Sequence, residues 1–360
     1  MNKRCKPLVI PIFIPHSGCP HQCAFCNQSI ITNQKSNLPD KYQINDIITQ
    51  YLQYKGKRES VELAFFGGNF LGLPHKTIIE LLEIVNTYIS ENKIHGIRFS
   101  TRPDTINPQT LDLLKPYTIS AIELGVQSMN DEILLKSKRG HTAGDTIKAI
   151  GLLKDYSFKI GVQVMVGLPD DSESSLLKST HKLAKLAPDF ARIYPLMVLK
   201  GSPMEQWYKK GLYKPLTLEE SVKLVKKMYQ IFQADNIDVI RMGLQASDMM
   251  EDQSMVLAGP WHPAFGHLVF SQIFYDMICR KIDQNPELLK AKSLILNVHH
   301  RSESRLRGDK NSNLKKLKSR YPKIDFLIDS GNTIQNKNCV DIKPFSCWEK
   351  LPRSAKTFDN

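Results

Sequence analysis

The chain has 360 residues, 41% apolar and 24% charged, the balance of an ordinary soluble globular protein with room for one large domain or one domain and a smaller appendage. No apolar run approaches the length needed to span a bilayer, and Lys3-Arg4 leads into a strand pattern rather than a signal peptide. The net charge of +13 suggests a polyanionic partner such as RNA, although basic proteins without one are common.

The first element is a short apolar, β-branched run over residues 8–14 that reads as a buried strand. A loop follows it with Cys19, Cys23 and Cys26 in a C-x3-C-x2-C run. Cysteine thiolates are the usual ligands of iron–sulfur clusters, and three of them leave one iron of a 4Fe–4S cubane open. A zinc site needs a fourth ligand, for which His16 and His21 are near enough, and free thiols are the remaining alternative. A disulfide framework fails because the seven cysteines are odd in number and no secretory signal precedes them; a reducing cytosol is the expected compartment. Cys5, Cys279, Cys339 and Cys347 are scattered and read as buried or free thiols.

A second strand over 61–66 runs into Gly67-Gly68-Asn69-Phe70. Paired glycines at a strand end let a ligand approach the backbone, though a plain turn looks the same. Thereafter strands over 97–100, 119–124, 159–166 and 190–193 alternate with helices over 77–92, 108–114, 142–154 and 173–186. Asn130 and Ser172 read as helix N-caps, as does Thr217 ahead of a helix over 218–236, and 239–243 reads as one more strand. Repeated βα units of this length imply a parallel sheet with right-handed crossovers. The expected division is a core over 1–248, a basic α+β extension over 249–350 and a flexible tail over 351–360.

The cysteine run, Phe66-Gly67-Gly68-Asn69-Phe70, Ser100-Thr101-Arg102-Pro103-Asp104, Ile122-Glu123-Leu124-Gly125-Val126-Gln127-Ser128, Lys138-Arg139-Gly140-His141-Thr142 and Ile193-Tyr194-Pro195-Leu196 carry a resemblance. Spread in order over residues 8–245, they make the chain similar to radical S-adenosylmethionine (SAM) enzymes. Within that superfamily it most resembles the radical SAM domain of the Elongator catalytic subunit and its short bacterial relatives without an acetyltransferase domain. The resemblance implies an α/β fold, a partial (β/α)6 TIM-type barrel with a small C-terminal α+β extension. It also implies a 4Fe–4S cluster on Cys19, Cys23 and Cys26. SAM would bind the open iron and be cleaved reductively to methionine and a 5′-deoxyadenosyl radical, with an electron donor such as flavodoxin or ferredoxin.

By the same resemblance, Phe25 meets the adenine and Gly67 and Gly68 receive the SAM amino group, so that a side chain at Gly68 should block SAM and spare the cluster. Ser100, Gln127, Arg139 and Gln163, with Arg102, fall where relatives bind the ribose and carboxylate. The residues alone leave rivals open: a hydrophobic anchor for Phe25, a salt bridge to Glu123 for Arg139, a core hydrogen bond for Gln163. Asn69 stands where many radical SAM enzymes carry an acid, as it does in the Elongator-type pattern. Tyr194 and Lys200 face the substrate by position alone, and the pairs His262/His267 and His299/His300 read as structural.

RNA, including tRNA, is the leading substrate class, with contact expected through Arg301–Lys323, where nine basic residues face Glu303 and Asp309. A solvated helix face explains that run equally well. The residues after 250 are few for an acetyltransferase and show no glycine-rich acetyl-CoA loop, which sets the complete Elongator reaction aside. A radical SAM enzyme on a small metabolite, or a cluster-bearing RNA-binding protein without turnover, are the other readings.

Overall fold

The computed structural model describes residues 7–14, 16–20, 22–27, 38–244, 255–331, 334–345 and 355–356. Cys5, Cys347, His21 and all of the expected tail except Ala355–Lys356 lie outside them. The chain divides into two compact units, Met1–Pro263 and Ala264–Asn360.

Seven parallel strands form a curled half-barrel in the first unit: β1 (Leu8–Phe13), β2 (Val61–Phe66), β3 (Gly96–Thr101), β4 (Ile119–Gln127), β5 (Ile160–Val166), β6 (Phe190–Pro195) and, after the short strand β7 (Val198–Leu199), β8 (Asp238–Met242). Their order in the sheet is β1-β2-β3-β4-β5-β6-β8, so each new strand joins the edge left by the last. β7 leaves the sheet and pairs antiparallel with β9 (Val256–Ala258). The six expected strands and the further one are all present. β4 runs three residues past its expected end and takes in Gln127.

Local chemistry explains the helices between them. Asn130 accepts from the Glu132 amide at 3.0 Å, and Ser172 and Thr217 cap their helices as expected. A helix over Lys41–Leu52, not among the expected elements, starts with a reciprocal capping box between Asp40 and Gln43. Helices Pro203–Lys209 and Asp131–Lys136 are short.

Side chains alternate across each strand, so one face of the sheet is apolar and the other polar. Ile10, Ile12, Leu63, Phe65, Ile97, Phe99, Ile122 and Leu124 are buried on the apolar face. The opposite, concave face carries a charged strip. Glu123 on β4 is fully buried; its Oε1 lies 2.8 Å from Arg98 on β3 and its Oε2 lies 2.7 Å from Arg192 on β6. Arg98 also reaches Glu62 on β2 at 3.0 Å. Gln163 on β5 donates to Glu123 at 3.0 Å and to Ser100 at 3.1 Å.

The second unit packs helix Phe265–Asp283 on a four-stranded sheet of order β12-β10-β11-β13. β10 (Ser293–Val298) and β11 (Asp325–Asp329) are parallel, and β12 (Val340–Pro344) and β13 (Ala355–Lys356) are antiparallel to them. Phe274, Ile278, Ile282, Leu294, Leu296 and Leu317 belong to its core.

Removing the Glu123 carboxylate would take the shared partner from Arg192 and leave Arg98 with Glu62 alone. Glu123→Ala should lower unfolding stability by about 3–5 kcal/mol in urea titrations. A change below about 1 kcal/mol would show the strip to be dispensable for folding.

Candidate functional site

The cysteine loop leaves the carboxyl end of β1, and left-handed residues at His16 (φ 55°) and Gly18 (φ 71°) turn it back over the sheet. Its first half is tied to the end of β2. The Asn69 amide donates to Ser17 O at 2.9 Å, and its Nδ2 donates to Gly18 O at 2.9 Å. The Asn69 Oδ1 accepts from Thr101 Oγ1 at 2.7 Å and from the Arg102 amide at 2.9 Å. Fully buried Asn69 therefore stitches together the loop, β2 and the end of β3. The second half is tied elsewhere: Ala24 donates to Ser137 O at 3.0 Å and accepts from the Met204 amide at 2.9 Å. Asn27 Nδ2 donates to Lys200 O at 2.7 Å.

Cys23 is buried, while Cys19 and Cys26 are half-buried. Burial pushes the Cys19 thiol up, opposed by the positive charge of Arg139. Among the described residues no group of three His, Cys, Asp or Glu side chains is drawn together closely enough to hold a metal ion. The fold places the three cysteines on one loop. Three soft thiolate donors and no carboxylate in the run still match iron–sulfur chemistry in type.

Gly67 adopts φ 97°, a conformation that favours glycine. A Cβ on Gly68 would lie 2.3 Å from Ile14 O and 2.5 Å from Ser17 O. Those atoms belong to the backbone just after β1 and to the cysteine loop. A side chain at Gly68 would therefore press on the cysteine loop itself.

Phe25 is half-buried, and its ring packs on a cluster that includes Ile133, Leu168, Leu196 and Met204, as an anchor does. Gln127 closes β4 at φ 67° beside a register shift in the β4–β5 pairing. Its Oε1 is buried and accepts no hydrogen bond among the described residues, a vacancy suited to a ligand hydroxyl. Ser100 and Gln163 are bonded to each other on the concave face. Tyr194 lies half-buried on the same strand as Arg192.

Arg139 is buried, with Nη1 3.3 Å from Cys23 Sγ and Nη2 2.6 Å from Gly125 O. Glu123, the rival partner, is taken up by Arg98, Arg192 and Gln163. Arg102 serves the structure: it holds Asp104 through two bonds of 2.9 and 2.7 Å and donates to Arg139 O at 2.7 Å. The sequence pattern showed Asn69 and Arg102 as motif members and gave no sign of these partners.

His141 is buried next to Val126, with Nε2 3.2 Å from Val126 O. Burial, helped by Arg139, pushes its pKa down to about 3. His299 and His300 stack on each other at 4.2 Å.

The radical SAM superfamily pattern matches residues 13–183 and the radical SAM C-terminal domain pattern matches residues 188–274. The chain is 30% identical over 218 residues to an uncharacterized protein of Methanocaldococcus jannaschii, covering 58% of this chain and 67% of that one. It is 27% identical over 259 residues to the tRNA uridine(34) acetyltransferase of the same organism, covering 60% of this chain and 47% of that protein. The chain thus spans about half the length of that curated relative. Among solved structures it is similar to the archaeal Methanocaldococcus infernus Elp3, with a TM-score of 0.58, 22% identity, and coverage of 74% and 63%. The protein belongs to the radical SAM superfamily, whose cofactors are a 4Fe–4S cluster and SAM.

Two outcomes follow from the geometry. Gly68→Val should reduce iron uptake on anaerobic reconstitution and SAM affinity together; full iron with SAM affinity alone lost would place the ligand, not the loop, against Gly68. His141 is neutral when folded and titrates near 6.5 when unfolded, so the unfolded chain takes up a proton that the folded chain refuses. The stability from its neutral ring is complete above pH 6.5 and is lost as pH falls towards about 3. Compared with His141→Gln, wild type should lose up to about 1.4 kcal/mol more per pH unit in that window. Parallel stability profiles for the two proteins would contradict this.

Proposed function

We propose that this radical SAM enzyme modifies RNA, with tRNA as its substrate class. The observation that carries the reading is the doubly tied cysteine loop over the ends of β1–β4, in a chain whose curated relative is named for tRNA uridine(34). Cys19, Cys23 and Cys26 would hold the cluster. Gly67 and Gly68 would offer backbone to the SAM amino group, and Gln127 Oε1 would accept from the ribose. Arg139 stands at the junction of loop and β4, where the SAM carboxylate is expected, with Phe25, Ser100 and Gln163 completing the contacts. A cluster held by Cys19, Cys23 and Cys26 would supply, once reduced, the single electron needed for reductive cleavage of the SAM sulfonium to methionine and a hydrogen-abstracting radical. Flavodoxin or ferredoxin is the proposed electron donor, and the cytoplasm the proposed compartment. Among the described residues no helix is long and apolar enough to cross a membrane.

Within the basic segment, several cations have partners inside the fold. Arg305 stacks on Phe270 at 4.1 Å, Arg307 bonds Glu303 at 2.9 Å, Lys318 bonds Asp325 at 2.6 Å and Arg320 bonds Asp283 at 2.8 Å. Lys316 lies 5.7 Å above the Tyr275 ring. Arg301, Lys310, Lys315 and Lys323 are exposed. These four are the proposed phosphate contacts, which position RNA without reading its sequence.

Cys23→Ala should abolish both the electron paramagnetic resonance signal of the reduced cluster and SAM cleavage. A fully active variant would sink the ligand assignment. Changing Arg301, Lys310, Lys315 and Lys323 to glutamine should weaken tRNA binding and flatten its salt dependence, by up to about one logarithmic unit per cation removed. Identical affinities and slopes would take this segment out of the RNA contact.

A further inference from the structure

The guanidinium of Arg139 is built into the protein more firmly than a ligand clamp requires. Its Nη1 lies 3.3 Å from Cys23 Sγ and its Nη2 lies 2.6 Å from Gly125 O. Its own carbonyl accepts from Arg102 at 2.7 Å, and Arg102 is in turn held by Asp104. Arg139, Cys23 and Arg102 are 8%, 6% and 2% exposed, so the contact is shielded from water. Gly125 is part of the device. A Cβ there would lie 2.6 Å from Arg139 Nη2, so the guanidinium would have to shift away from the strand.

We infer that Arg139 is a positioning residue for the cluster, donating an N–H to the Cys23 sulfur and thereby setting the potential at which the cluster accepts its electron. The inference rests on the assignment of Cys23 as a ligand. Hydrogen bonds to ligand sulfurs and nearby charge are among the controls on iron–sulfur potentials. A reduced cluster carries one more negative charge than an oxidised one. A buried cationic donor on a ligand sulfur favours the reduced form and raises the potential, the more so in a water-poor site. The potential is read without SAM and SAM affinity is read on its own, so the two roles are separable by measurement.

The test is a dithionite titration, followed by electron paramagnetic resonance, of anaerobically reconstituted full-length wild type, Arg139→Lys, Arg139→Gln and Gly125→Ala, without SAM. SAM affinity is measured separately on each protein. Arg139→Gln should lower the midpoint potential by at least about 59 mV, a tenfold loss in the one-electron reduction equilibrium. Arg139→Lys should fall between it and wild type. Gly125→Ala keeps the arginine but moves it, and should also lower the potential, which decides the matter if Arg139→Gln takes up no cluster. Unchanged potentials in variants that hold a cluster would overturn the inference, and lost SAM affinity alone would leave Arg139 a SAM ligand only. A wild-type protein that assembles no cluster would instead remove the ligand assignment on which the inference rests.

Discussion

The site depends on one buried amide. Asn69 uses its backbone and both ends of its side chain to join three segments that are distant in sequence: Ser17-Gly18, the end of β2 and Thr101-Arg102. The Asn69 bonds to Thr101 and the Arg102 amide are buried, so an unmade bond there costs about 1–3 kcal/mol. An acid at this position would keep the acceptor for Thr101 and Arg102 but lose the donor to Gly18 O. The amide is thus matched to a loop that must lie against the sheet through its carbonyls. Gly18 and Gly72 complete the match, since a Cβ on either would lie 2.2 Å from an atom of Asn69.

The concave face shows a second constraint. A parallel sheet in an α/β fold is usually apolar on both faces, yet here β2 to β6 carry a chain of charges centred on Glu123. Pairing one carboxylate with two arginines and Gln163 satisfies its lone pairs without water. Such a strip contributes little net stability against apolar residues of equal volume, while removing one of its partners is costly. Arg192 and Gln163 keep partial exposure towards that side.

Much of this was legible in the sequence because the signals are local. β-branched runs, capping residues and the cysteine spacing each act over a few residues, and the strands and caps follow them closely. What was not legible depends on partners far along the chain. Asn69 reads as a motif variant until Thr101 is brought beside it. Gln127 reads as a loop residue because β4 ends in a left-handed residue rather than at a glycine. The basic run over 301–323 looks strongly unbalanced when only Glu303 and Asp309 are counted, but the fold adds Asp283 and Asp325 from outside that run. The unit division at Pro263 lies beyond the expected 248, since β9 pairs back onto β7 and keeps residues 256–258 with the first unit.

The central claim is that the tied cysteine loop and the β-strand ends beside it perform SAM-dependent radical chemistry on RNA. Its most direct test incubates the reconstituted, reduced protein with SAM and tRNA from cells lacking the enzyme, then compares digested nucleosides by mass and measures 5′-deoxyadenosine. The account predicts tRNA-dependent 5′-deoxyadenosine formation and a nucleoside of changed mass. SAM cleavage that ignores tRNA, with every nucleoside mass unchanged, would contradict it.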